Sequence, residues 1–111
     1  MQNFLEEESL QYRACRALLT LAGSDTACDK IVSEGGFGAI LAAMLNCPGS
    51  ARVQYHGSWA LANLIAEQEH IQNFARQEGA LEVCEAAVAC FADHAGIQEK
   101  ANQVLDILVL D

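Results

Sequence analysis

The sequence predicts an all-α fold built from a repeating three-helix unit, an α-solenoid of about two and a third repeats. Three observations carry this. Three segments align without gaps: Leu10 to Ser24, Val53 to Glu67 and Ile97 to Asp111, starting 43 and then 44 residues apart. Their apolar residues recur with helical rather than alternating spacing. The stretches between the copies also match, around Glu34-Gly35-Gly36-Phe37 and Glu78-Gly79-Ala80-Leu81. A period of about 40–47 residues is typical of stacked helical repeats.

The copies of the long helix are the clearest elements. Each opens with an aliphatic residue followed by glutamine: Gln11, Gln54 and Gln98. The apolar positions are Leu10, Ala14, Ala17, Leu18 and Leu21; then Val53, Gly57, Ala60, Leu61 and Leu64; then Ile97, Ala101, Val104, Leu105 and Leu108. At about 100° per residue they form one stripe. The small residues Ala14, Gly57 and Ala101 suggest close approach of a neighbouring backbone. A glycine inside a helix costs about 1 kcal/mol relative to alanine, so Gly57 calls for a packing reason.

Between the copies, the Glu-Gly-Gly and Glu-Gly-Ala strings read as a helix stop and a sharp turn, since glycine takes a left-handed conformation without steric penalty. An amphipathic stretch precedes each turn and an apolar one follows. Pro48-Gly49-Ser50 ends one helix, and Ser50 is placed to cap the next; Asp93 is the candidate for the same role before Ala95. The expected helices span about 6–22, 25–34, 37–47, 51–66, 69–78, 81–92 and 95–110. No linker interrupts them, so residues 1–111 read as a single module: 6–22, then full units at 25–66 and 69–111.

Composition narrows the function classes. The chain has 111 residues, 52% of them hydrophobic, which is room for one small domain or a piece of a larger one. No apolar run approaches the ~18 residues of a membrane span, and no basic-then-apolar signal opens the sequence. Six basic residues against fifteen acidic ones give a net charge of −9, which argues against a nucleic-acid surface. The five cysteines (Cys15, Cys28, Cys47, Cys84, Cys90) form no CxxC pair. They read as reduced, small core residues of a cytoplasmic or nuclear protein. Cys90 and His94 stand four apart, but no further ligand accompanies them, so no metal or other cofactor is expected. No phosphate loop or nucleophile elbow is present, and no enzyme is expected.

On the Glu-Gly turns and the string Val53-Gln54-Tyr55-His56-Gly57-Ser58-Trp59-Ala60-Leu61-Ala62-Asn63-Leu64-Ile65-Ala66, the sequence resembles the armadillo repeat family, specifically repeats of the importin-alpha and beta-catenin type. The likeness covers about residues 6–111. It implies a right-handed superhelix in which the 6–22 segment is the third helix of a preceding repeat. It also implies that third helices line a concave groove that binds another protein or an extended peptide. By that likeness Asn63 hydrogen-bonds the ligand's main chain and Trp59 walls a side-chain slot, with His56 and Glu67 one turn to either side. Spacing agrees that Trp59 and Asn63 share a helix face.

The other copies depart from this pattern. Arg16 and Gln103 stand at the Trp position, and Thr20 and Ile107 at the Asn position, so an importin-like specificity for nuclear signals is not expected. Arg13, Arg16 and Lys100 make the inferred groove mixed in charge. Tyr12 and Tyr55 occupy equivalent places, where packing and ligand stacking are both open. The candidate groove set is therefore Trp59, Asn63, His56, Glu67, Tyr55, Arg16, Thr20 and Gln103. The bland alternatives are that Trp59 packs between helices and that Asn63 serves a neighbouring loop. Glu6-Glu7-Glu8 reads as a solvated helix start, favoured by the helix dipole.

A solenoid buries its faces only against its neighbours. The apolar run Ile107-Leu108-Val109-Leu110 and the far side of the first helix (Leu10, Ala17, Leu18, Leu21) therefore predict a partner, self-association or a longer array. The second functional reading is a structural or homo-oligomerising module working through these ends.

Overall fold

The computed structural model describes residues 4–109, with side chains from residue 7 onward. Seven helices follow one another: α1 (Phe4–Leu21), α2 (Asp25–Ser33), α3 (Gly36–Asn46), α4 (Ala51–Ile65), α5 (Glu69–Glu78), α6 (Ala80–Cys90) and α7 (Ala95–Leu108). Among the described residues there is no strand. The bounds lie within two residues of those expected from sequence, except that Leu110 falls outside the described residues.

The punctuation follows local chemistry. Gly35 and Gly79 adopt φ of 88° and 90°, left-handed values that a β-carbon disfavours. Each lets one short helix end and the next begin at a sharp angle. The Ser24 and Ser50 hydroxyls accept from the backbone N–H of Ala27 and Val53, capping α2 and α4. For α7 the cap is His94 rather than Asp93: its Nδ1 accepts from the Ile97 N–H at 3.1 Å. His94 thus belongs to the start of α7 while Cys90 closes α6, so the two do not share a helix face.

Packing joins equivalent helices. α4 lies between α1 and α7, and α3 touches α6. The Cα radius of gyration is 12.9 Å, close to the roughly 13 Å of a globular chain of this length. The α4 stripe (Val53, Gly57, Ala60, Leu61, Leu64) is buried throughout, and in α7 only Leu105 is half-buried. At Gly57 the close neighbour is a side chain, not a backbone: a β-carbon there would meet Met44 Cγ at 2.7 Å and Sδ at 2.8 Å.

The two glutamines that open α4 and α7 perform the same task 44 residues apart. Gln54 Nε2 donates to the carbonyls of Met44 and Cys47 at 2.9 and 3.0 Å. Gln98 Nε2 donates to those of Val88 and Phe91 at the same two distances. The last carbonyls of a helix lack intrahelical partners, so each glutamine satisfies the end of the preceding helix.

The far side of α1 is open, as its uncovered apolar residues predict: Leu10 and Leu21 are 49% and 62% exposed, and Ala14 and Ala17 are exposed with them, while Leu18 is half-buried. Within each full unit α3 or α6 covers the stripe, and no described helix does this for α1. Of the run at the end of α7, Val109 is 54% exposed, as expected, but Leu108 is 1% exposed and belongs to the core, because α7 turns its stripe inward against its own unit. Finally, Glu8 is buried rather than solvated. Its carboxylate accepts from the Ser50 hydroxyl and from Arg52, with Nη2 2.6 Å from Oε1. The Arg52 guanidinium and the Ser50 hydroxyl hold this carboxyl below the usual carboxylate range.

Candidate functional site

α1 and α4 run side by side and leave an open depression of ≈ 660 Å³ between them. It is lined from α1 by Tyr12, Arg16, Leu19 and Thr20, and from α4 by His56, Trp59 and Asn63. Steps of three and four residues on each helix bring these side chains into two facing rows. Five of the eight residues expected from sequence therefore meet here: Arg16, Thr20, His56, Trp59 and Asn63.

The other three lie elsewhere. Tyr55 is half-buried on the α7 side of α4, its ring 5.5 Å from that of Trp59 and 5.7 Å from that of His94. Glu67 is exposed beyond the end of α4, and Gln103 is exposed on α7. Two lining residues were absent from the expected set. Tyr12 had a signal, its equivalence to Tyr55, whereas Leu19 had none because its place depends on how α1 is rotated against α4.

Each polar member has a defined role. The His56 ring stands edge-on to Tyr12, centroids 4.8 Å apart, and its Nδ1 lies 2.9 Å from the Arg52 carbonyl. A carbonyl only accepts, so that nitrogen carries the proton. The Arg52 guanidinium sits 4.6 Å from the centre of the Tyr12 ring while it holds Glu8. Arg16 makes one side-chain bond among the described residues, a 3.4 Å contact from Nη1 to the Tyr12 hydroxyl. The Thr20 hydroxyl donates to the Arg16 carbonyl at 3.0 Å.

Trp59 is half-buried, between the two readings the sequence left open. The ammonium of Lys100, from α7, lies 4.7 Å from its ring centroid, a cation–π contact within the chain. Asn63 lines the depression, and its side-chain amide has no hydrogen-bond partner among the described residues. Its backbone carbonyl instead accepts the Cys28 thiol at 3.8 Å.

The remaining cysteine chemistry is quiet. Cys15, Cys28, Cys47 and Cys84 are buried free thiols, and Cys90 is exposed. Burial pushes Cys15 up to about 11 and Cys84 up to about 12, so neither is a thiolate nucleophile at neutral pH. No three His, Cys, Asp or Glu side chains among the described residues are grouped to hold a metal ion.

Compared with protein-family models, with curated proteins and with solved structures, the chain finds no match.

Proposed function

We propose that this chain is a non-enzymatic scaffold of armadillo type, a right-handed α-solenoid whose third helices α1, α4 and α7 present a groove to an extended segment of another protein. One observation carries the reading: Trp59 and Asn63, whose side-chain amide is unpartnered, line the same depression, beside a second row from α1. An unpaired amide on an open surface is suited to bonding a ligand's main chain, and the flanking aromatic rings offer apolar walls. The side-by-side placement of α1, α4 and α7 and the matched glutamine bonds support a repeating architecture. The free cysteines suit a reducing compartment, the cytoplasm or nucleus.

The test compares affinity capture by wild type, Trp59→Ala, Asn63→Ala and Leu21→Glu, all verified as folded by circular dichroism. Proteins retained by wild type and Leu21→Glu but lost from both groove variants support the proposal. Equal recovery on all four chains would remove it.

A second reading has its own observation. The exposed row Leu10, Ala14, Ala17 and Leu21 gives α1 an apolar outer face suited to self-association. Under that reading Leu21→Glu changes the mass in solution and the groove variants do not.

A further inference from the structure

We infer that the depression between α1 and α4 takes an acidic stretch of a partner protein, selecting against basic ones; the inference rests on the groove reading above. The chain as a whole is acidic, with fifteen carboxylate side chains against six cationic ones. None of the fifteen lines the depression. Arg16, in contrast, projects into it. Three of the other five cations are engaged: Arg52 pairs with Glu8, Arg76 donates to the carbonyls of Leu108 and Ile107 at the end of α7, and Lys100 covers Trp59. Arg13 and Arg16 stand one turn apart on α1, with no carboxylate within ion-pair distance among the described residues, and line a second shallow hollow with Ala17, Thr20 and Leu21.

Arg16 sets the sign of the depression, and Lys100 takes a face of Trp59. A tryptophan face in a peptide groove attracts a ligand's cation, but here the chain supplies its own. The Lys100 side chain is 17% exposed, packed against the Trp59 ring, with its Nζ 3.6 Å from Glu99 Oε1. A basic ligand side chain would find one face of Trp59 already taken by this ammonium and would approach Arg16 against like charge. An acidic one finds Arg16 unpaired, with the Asn63 amide beside it for the main chain. Charge complementarity of this kind governs partner choice more than total affinity.

The probe is a displayed library of random decapeptides selected on the immobilised full chain. The selected peptides are then synthesised and titrated by following the fluorescence of Trp59, the sole tryptophan. The expected pool is enriched in Asp and Glu. Arg16→Glu should weaken the selected peptides about tenfold and Arg16→Gln by less, while Lys100→Gln should admit peptides carrying Lys or Arg. A pool enriched in Lys and Arg, a pool with no charge bias, or selected peptides indifferent to Arg16→Glu would overturn the inference while leaving the groove standing. No enrichment at all, or dye-labelled peptides whose fluorescence polarisation titrates unchanged on Trp59→Ala and Asn63→Ala, would remove the groove reading itself.

Discussion

Replacing Gln54 by methionine isolates the inter-helix bond that recurs in both units. Methionine keeps the length and flexibility of the side chain and removes the donor. Gln54 is 3% exposed, so no water replaces the lost amide. The consequences at its two carbonyls differ. Cys47 retains a second donor, the Ser50 N–H at 3.1 Å. Met44 does not, because the residue four positions on is Pro48, which has no N–H to close the helical bond. A buried carbonyl left without a partner costs about 1–3 kcal/mol, and the second lost bond about 0.5–1.5 kcal/mol. The expected destabilisation is thus about 2–3 kcal/mol, or a Tm roughly 10–20 °C lower for a domain of this size. Gln98 is only half-buried, and water reaches its neighbourhood, so Gln98→Met should cost about 1 kcal/mol. The two sites share no hydrogen-bond partner, so the double variant should be additive within about 0.5 kcal/mol. Urea unfolding with an unchanged m-value measures all three. Equal losses at the two positions, or none at Gln54, would refute the role assigned to Pro48 and to burial.

Ser58 offers the opposite sign: its fully buried hydroxyl makes no hydrogen bond of ordinary geometry among the described residues, and its polar neighbour is the Cys84 thiol, a weak acceptor, so Ser58→Ala should raise stability by at most about 1 kcal/mol, and a fall in urea midpoint would contradict this. Leu108→Ala should cost about 2–5 kcal/mol as a core truncation, whereas Leu21→Ala should stay within about 0.5 kcal/mol; chemical denaturation of both distinguishes core from surface. Because the folded-state carboxyl of Glu8 titrates lower than its ordinary value of 4.5, its contribution is fully present above that value and is lost as pH falls through the lowered one. The Tm gap between wild type and Glu8→Gln should therefore narrow on acidification from pH 7 to below 4, and a constant gap would dismiss the ion pair as a source of stability.

Helix order and limits were legible because they are written in local chemistry. Gly35 and Gly79 mark turns that other residues take poorly, and Ser50 caps whatever helix follows it. The stripe on α4 was legible for the same reason, since spacing alone assigns it. What escaped depends on contacts between distant segments. Glu8 looks like one of three surface acids until Ser50 and Arg52, more than forty residues away, close over it. The recurring glutamines were visible, but their use was not, because their partners are backbone carbonyls of another helix. His94 took the capping role in place of Asp93 because α7 starts at Ala95, which places the imidazole and not the carboxylate beside the first free N–H groups. The α1 and α4 rows of the depression were half visible. Trp59 and Asn63 declared a shared face, while Lys100 over Trp59 joins positions with no sequence pattern in common.

The two sides of the helix row differ in a way that bears on self-association. On α4 the face that meets the second unit carries Tyr55, Ser58, Trp59 and Ala62. The equivalent positions on α7 are Glu99, Asn102, Gln103 and Asp106, a polar set with two carboxylates and no apolar side chain. The outer face of α1 is mostly apolar, with Leu10, Ala14, Ala17 and Leu21 exposed, and Arg13 at its edge is one cation against the two carboxylates of α7. Apolar surface gains little from covering a solvated carboxylate, since burying that charge unpaired is costly. Head-to-tail stacking, which would join the α1 face of one copy to the α7 face of the next and extend without limit, is therefore disfavoured. Two α1 faces can cover each other, which makes an isologous pair and stops there. Sedimentation equilibrium over rising concentration should show monomer and dimer alone, with Leu21→Glu shifting the population to monomer. A ladder of larger species that persists in Leu21→Glu would show that the α7 face is adhesive and that its polar character does not close the row.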